Sequence, residues 1–151
     1  MKPYQINEGT FSLPDDIGGQ DSTLNIFRHS TDNTVLMVAR GAIPAGRSFE
    51  DELESQWAQL WARVERVQST PKTRVLLPCS PGVDAWQTDC HFRQGGHIQY
   101  QRQLALHLPH KSQMLIFTHT SQIPFTQVQN QYWQRLCETL CLAKRAEAAH
   151  G

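Results

Sequence analysis

Histidine and cysteine are the first residue types to weigh for chemistry, because the chain contains seven histidines and four cysteines. Cys137 and Cys141 lie four positions apart on a predicted helix, and His107 and His110 flank a predicted turn. A structural zinc site needs four converging ligands, and no CxxC or HExxH spacing is present to begin one. We therefore expect no metal and no cofactor, and cysteines that serve as small packing residues.

Nucleophilic catalysis has equally weak support in the sequence. Cys79 lies in a PCSP turn, and His91 directly follows Cys90. A cysteine and a histidine somewhere in one chain are a common coincidence, and the GxSxG motif of a nucleophile elbow is missing. The sequence therefore predicts that the protein is not an enzyme. A reaction at Cys79 or Cys90 is the weaker alternative.

Glutamine forms a more informative pattern. Gln99, Gln101 and Gln103 alternate along one predicted strand, which places all three on one face of a sheet. The residues predicted to face the other way are Ile98, Tyr100, Arg102 and Leu104. An amide side chain offers donors and acceptors without a net charge. This face is therefore either a plain solvent-facing surface or one that satisfies the polar groups of a bound peptide.

A predicted helix carries the second group of candidate binding residues. Ser48 is the expected N-cap, and acidic residues at positions 50–52 suit the positive end of the helix dipole. Apolar residues then recur at helical spacing as far as Val67, which predicts about five turns before Pro71. Gln56, Leu60 and Val64 form one i, i+4, i+8 row on this helix.

The remaining patterns predict an α+β fold in the order three strands, helix, four strands, helix. Extended segments fill the first forty residues, and later strands are expected at residues 74–77, 85–92, 97–108 and 114–119. Pro124 is expected to open the last helix. Its predicted apolar stripe is Phe125, Val128, Tyr132, Leu136 and Leu140. Tight turns between the strands favour a mainly antiparallel sheet packed with two amphipathic helices.

Length and charge restrict the class of protein. The 151 residues suit a single domain over positions 1–151, and 14 basic against 14 acidic residues give a net charge of +0. This balance argues against nucleic-acid and anionic-membrane partners, which select for basic surfaces. The N-terminus shows no signal peptide and no stretch is long enough to span a bilayer. We expect a cytoplasmic protein with reduced thiols.

Two N-terminal motifs resemble one known family. Residues 4–14 (YQINEGTFSLP) and 21–26 (DSTLNI) are similar to the start of DUF1795 (DcrB-like) proteins, and more narrowly to the Eag chaperones of type VI secretion systems. The segments at 55–57 (SQW), 100–103 (YQRQ) and 115–120 (LIFTHT) also fit. The resemblance implies a Mog1/PsbP-like fold and a cytoplasmic homodimer without enzymatic activity or cofactor.

The resemblance also implies a partner and a binding site. Eag chaperones hold the hydrophobic, prospective transmembrane helices at the N-terminus of an effector, often an Rhs-type toxin, until it is loaded onto the secretion spike. By motif position the effector-binding residues would be Leu24, Ile26, Gln56, Leu60, Val64 and either Gln101 or Gln103. Trp57 and Trp61 are open to a core, groove or dimer role. The alternative is an immunity or accessory protein that recognises a folded toxin domain.

Overall fold

The computed structural model describes residues 2–6, 8–13, 17–20, 24–109 and 111–142. The strands formed by these residues are β1 (Lys2–Ile6), β2 (Gly9–Leu13), β3 (Ile17–Gln20), β4 (Asn25–His29), β5 (Val35–Ala42), β6 (Glu65–Ser69), β7 (Thr73–Arg74), β8 (Ala85–Gln94), β9 (His97–His107), β10 (Gln113–Ser121) and β11 (Cys141–Leu142). The helices are α1 (Phe49–Trp61) and α2 (Gln127–Thr139).

The described strands form two sheets with antiparallel pairing. The larger sheet has eight strands in the order β3-β4-β5-β10-β9-β8-β6, and β7 also pairs with β8. The smaller sheet has the order β1-β2-β11. Strands β5 and β10 are neighbours although α1 and four strands separate them in sequence. The prediction of an α+β fold with a mainly antiparallel sheet and two helices is confirmed.

The turn between β8 and β9 determines the register in the middle of the larger sheet. Gly95 and Gly96 have φ angles of 60° and 85°, a left-handed conformation that glycine adopts without steric cost. Gln94 pairs with His97, which leaves a two-residue hairpin loop of the kind that such a conformation favours. Every cross-strand pair of β8 and β9 follows from this turn.

Helix α1 begins as predicted but ends early. The Ser48 hydroxyl accepts a hydrogen bond from the Asp51 amide at 3.1 Å, and the helix ends at Trp61. The predicted continuation to Val67 is wrong, because residues 65–69 form β6 and pair with the edge of β8. An open sheet edge supplies backbone hydrogen bonds that side-chain periodicity does not report. Val64 therefore lies in the turn after α1 and does not continue its row.

Helix α2 begins three residues later than predicted. Thr126, and not Pro124, prepares its first turn. The Thr126 hydroxyl accepts a hydrogen bond from the Gln129 amide at 3.3 Å, and the Gln129 side-chain oxygen accepts one from the Thr126 amide at 2.8 Å. This complete capping box satisfies the backbone amides of Thr126 and Gln129 at the start of the helix. Proline has no side-chain acceptor and could not have capped the helix in this way.

The buried side of α2 differs from the predicted stripe. Its buried residues are Gln129, Trp133 and Leu136, whereas Val128 is 72% exposed. Leu136 and Leu140 are fully buried, as predicted. The assignment of Val128 to the stripe is wrong, because the side that meets the sheet is determined by packing in three dimensions rather than by the first apolar residue of the helix.

Three of the four strands predicted after α1 are β8, β9 and β10, each within two residues of its expected ends. The fourth, expected at residues 74–77, is reduced to the two residues of β7. The first of the three strands predicted before α1 is divided into β1 and β2. Strands β3, β6 and β11 were not predicted, and they contain four, five and two residues. Segments this short carry too few alternating positions to show a period of two.

The two helices lie on opposite faces of the larger sheet. In β9, Leu104 and Leu106 belong to the core cluster that includes Trp133 and Leu136 of α2. Ala105, between them, packs in a second cluster with the α1 residues Phe49, Leu53 and Trp57. Because successive strand residues point to opposite faces, the sheet has an α2 face and an α1 face.

Candidate functional site

Most of the predicted binding residues of the strands share the α1 face. One row across the sheet joins Ile26 to Met37, Met37 to Thr118, Thr118 to Gln103, and Gln103 to Thr88. Paired residues of adjacent antiparallel strands point to the same side. Ile26 and Gln103 are therefore on one face although three strand spacings separate them.

A second row on the same face lies two residues further along the strands. It runs through Val35, Thr120, Gln101 and Cys90. Both Gln101 and Gln103 thus occupy the α1 face, as the alternation along β9 predicts. The question of which glutamine is available for a ligand is decided by hydrogen bonding and not by orientation.

Gln103 is used inside the protein. The Trp57 indole N–H donates a hydrogen bond to the Gln103 side-chain oxygen, and the Gln103 amide nitrogen donates one to the Thr118 hydroxyl at 3.2 Å. Trp57 is only 6% exposed. Gln103 therefore attaches α1 to β9 and β10, and Trp57 belongs to the core.

Gln101 has a different environment. Its side chain is 8% exposed and makes no hydrogen bond to any other side chain in the part of the chain that the structure describes. It borders a cavity of about 300 Å³ beside β6 and β8, together with Cys90 and residues 68–70. Of the two strand glutamines, Gln101 is the one whose amide is available to a ligand.

Helix α1 divides its face of the sheet into two halves. Glu50 and Glu54 both pair with Lys72, which follows β6, so this side of α1 points toward the β6–β8 edge. Gln56 points the other way, because its amide nitrogen would lie 3.6 Å from a Cβ atom built on Gly41 of β5. Leu60 follows Gln56 by one helical turn on the same side.

The half beside Gln56 is only partly covered by the described residues. Leu36 and Val38 of β5 are 1% and 0% exposed on the α2 face, whereas Val35, Met37 and Ala39 on the α1 face are half-buried. Ile26 is half-buried beside Met37. We call this surface the open strip; its members are Ile26, Val35, Met37 and Ala39, with Gln56 and Leu60 at the α1 border.

The two remaining predicted binding residues, Leu24 and Val64, are not members of the open strip. Leu24 immediately precedes β4 and is 44% exposed, two residues before Ile26 along the chain. Val64 is half-buried in the turn that leads from α1 to β6. The structure therefore brings Ile26, Gln56 and Leu60 toward one surface, with Leu24 at its margin and Val64 beyond the helix.

An aromatic cluster on the α2 face was not predicted from the sequence. The His119 ring stacks on Phe125 and Trp133, at centroid distances of 5.1 and 6.1 Å, and meets the edge of Tyr132 at 5.6 Å. Arg102 lies 4.6 Å from the Phe125 ring. Burial lowers the pKa of His119 to about 4, so the imidazole is neutral. The cluster is a packing unit that attaches the start of α2 to β9 and β10.

Two of the cysteines, Cys90 and Cys137, are poor candidates for a catalytic nucleophile. Burial raises the pKa of Cys90 and of Cys137 to about 11, and a protonated thiol is a poor nucleophile. Cys90 and His91 are successive strand residues and point to opposite faces. Among the described residues, no three His, Cys, Asp or Glu side chains are grouped to hold a metal ion.

Comparisons with known proteins complete the description of the site. A model of the DcrB family matches residues 8–139. A similar solved structure is PA94 of Pseudomonas aeruginosa, a protein of unknown function described as a candidate regulator. It is 19% identical, covers 96% of this chain and 99% of its own, and has a TM-score of 0.65.

A second similar structure is LpqN of Mycobacterium tuberculosis, which is involved in cell envelope biogenesis. It is 12% identical, covers 94% of this chain and 90% of its own, and has a TM-score of 0.68. Similarity at these identities extends to the fold alone. A comparison with curated proteins found no match. None of the helices in the described part of the chain is long and apolar enough to cross a membrane.

Proposed function

The chain belongs to the DcrB family, and on that basis we propose that it is a cytoplasmic chaperone for a type VI secretion effector. Its client is the N-terminal region of an Rhs-type effector. The chaperone shields the hydrophobic transmembrane helices of that region from water until the effector is loaded onto the secretion spike. The Eag-type motifs of the sequence and the side chains of the open strip support this proposal. It assigns no catalytic step and no cofactor.

The observation that carries the proposal is the unequal burial of the two sides of β5. Leu36 and Val38 are buried completely, whereas Val35 and Met37 leave part of their apolar surface uncovered by the described residues. Covering apolar surface contributes about 25 cal/mol per Å². An apolar helix laid on the open strip would remove water from both partners at once.

The polar border of the open strip suits the same client. Gln56 lies at this border, and Gln101 lies farther away in the row that begins at Val35. Both side chains are amides, which bear no charge. A transmembrane helix contains occasional hydroxyl or small polar side chains, and burying them without a hydrogen bond costs free energy. Amides next to an apolar strip can satisfy such groups without the larger desolvation cost of an ion.

The most direct test is co-expression with the isolated N-terminal region of the cognate Rhs-type effector. We expect the fragment to be soluble only with the chaperone and to co-purify with it. A fragment that is neither solubilised nor co-purified would contradict the proposal. A fragment lacking the apolar segments is the matched control, and it should remain soluble alone and fail to bind.

Substitution of Ile26 tests whether the open strip is the binding surface. Ile26→Asp places a charge beneath the client helix, where it would be buried without a partner, so binding should be lost. Ile98→Asp makes the same chemical change at a 43% exposed residue that faces away from α1. It should bind as wild type does.

Thermal melting separates binding from folding in this pair. Ile26→Asp that melts like wild type but does not co-purify supports the open strip. If Ile26→Asp unfolds, Leu24→Asp at the 44% exposed margin replaces it. If Leu24→Asp and Ile26→Asp fold and still retain the client, the client binds to another surface.

A further inference from the structure

The connection between β7 and β8 is attached to the C-terminal strand by one serine. The Ser80 hydroxyl donates a hydrogen bond to the Leu140 carbonyl at 3.0 Å and accepts one from the Leu142 amide at 3.0 Å. Ser80 is 7% exposed, so water competes little for these bonds. These two hydrogen bonds hold the chain around Ser80 next to the chain around Cys141, although Ser80 and Leu142 are 62 positions apart.

The neighbours placed together by Ser80 include two thiols. Cys79 precedes Ser80 and is exposed, and Cys141 lies between the two residues that Ser80 binds and is half-buried. The Cys141 thiol donates a hydrogen bond to the Cys79 sulfur, which favours the protonated thiol and raises the pKa of Cys141. The other two cysteines lie on other elements: Cys90 is buried on β8, and Cys137 is half-buried on α2.

We propose that Cys79 and Cys141 are a thiol–disulfide exchange site that a small-molecule disulfide, such as glutathione disulfide, converts to an intramolecular disulfide. The thiolate of exposed Cys79 attacks one sulfur of the small disulfide, forming a mixed disulfide and releasing one small thiolate. The Cys141 thiolate then attacks the Cys79 sulfur and releases the second. The two protons lost by the cysteines are taken up by the two released thiolates, so one disulfide is exchanged for another.

The bridge would join the β7–β8 connection to β11, whose other partner is β2 of the smaller sheet. It would close a loop of roughly 60 residues, and crosslinks of long loops restrict the unfolded chain most strongly. We expect oxidation to raise the melting temperature by roughly 5 to 10 °C. In a reducing compartment Cys79 and Cys141 would stay as thiols. The inference does not depend on the proposed function.

The test is incubation of the reduced protein with millimolar glutathione disulfide, followed by intact-mass analysis, peptide mapping and thermal melting. We expect a mass loss of two hydrogens, a crosslinked peptide joining Cys79 to Cys141, and a higher melting temperature that dithiothreitol reverses. Cys79→Ser should abolish all three. Cys137→Ser is the matched control, because it removes the other cysteine close in sequence to Cys141 and should leave the bridge intact.

Three outcomes would overturn the inference. One is a stable gain of one glutathione at Cys79 with Cys141 still reduced, since the second exchange step would then not occur. Another is a crosslink that joins Cys137 to Cys141 and survives in Cys79→Ser. A protein whose thiols remain unmodified after incubation contradicts it as well.

Discussion

At the scale of single residues, His119 makes the stability of the protein depend on pH. Its ring fills the stack between Phe125 and Trp133, where a neutral imidazole packs as a flat aromatic group. The charged groups that act on it are Arg102 and His29, which lower its pKa, and Asp32, which raises it. Burial is the largest of these influences, so protonation opposes folding.

Stability should therefore fall in acid. Burial lowers the pKa of His119 from 6.5 to about 4 in the folded protein. The unfolded chain takes up the proton first as the pH falls, so stability is fully present above pH 6.5 and is lost between 6.5 and 4. Between pH 7.5 and 4.5 we expect a loss of about 2–3 kcal/mol in the free energy of unfolding. Urea unfolding at these two pH values would measure it.

The control for this prediction keeps the ring and removes the titration. His119→Phe should stack in the same place and lose less stability than wild type over the same pH interval. His97→Phe, at an exposed position, should retain the wild-type slope. Equal slopes for wild type and His119→Phe would show that His119 does not cause the acid sensitivity.

At the scale of elements, the docking of α1 is what creates the open strip. The helix packs through Phe49, Leu53 and Trp57 on one half of its face of the sheet and leaves β4 and β5 partly uncovered. Gln103 is the polar part of this attachment, since it binds both Trp57 and Thr118. Neighbouring glutamines of β9 thus have different tasks, one in folding and one available for binding.

Substituting the two glutamines should separate these tasks. Gln103→Ala leaves the buried Trp57 N–H without its acceptor, and we expect a loss of about 1–3 kcal/mol in the free energy of unfolding. Gln101→Ala breaks no side-chain hydrogen bond among the described residues and should cost less. Urea unfolding measures both values, and client co-purification should be weakened by Gln101→Ala. A larger stability loss for Gln101→Ala than for Gln103→Ala would contradict this assignment.

At the scale of the whole molecule, the size of the open strip bears on the oligomeric state. Along β5 the open strip runs from Val35 to Ala39, which is roughly 13 Å at the usual rise of about 3.3 Å per residue. A transmembrane helix of about 20 residues is roughly 30 Å long. One protomer covers about half of that length, and a symmetric pair would cover all of it.

Light scattering at micromolar concentration should therefore give about twice the protomer mass of 17.2 kDa. The dimer should persist without the client, because in a monomer the apolar surface at the end of the open strip would be left without a partner. A monomer that still binds the effector fragment would refute a shared surface and would require a second site on the same chain. Measurement at two salt concentrations distinguishes an apolar contact, which salt leaves intact, from a charged one.

Local signals in the sequence determined the α+β class, the start of α1 and the hairpin at Gly95–Gly96. An N-cap, a two-residue glycine turn and a strand long enough to alternate depend on neighbours in sequence, so their physics is visible there. The shared face of Ile26, Gln101 and Gln103 needed both the alternation and the register that joins β4 to β9.

Only the tertiary structure decided where α1 ends, where α2 begins and which glutamine is occupied. Residues 65–69 have helical periodicity, but the edge of β8 offers them backbone partners, and strand pairing prevails. Because α1 ends before this strand, Val64 lies in the turn between α1 and β6. Gln103 is occupied because Trp57, 46 positions earlier, reaches it. Contacts between residues this far apart depend on how the whole chain packs, and no local pattern encodes them.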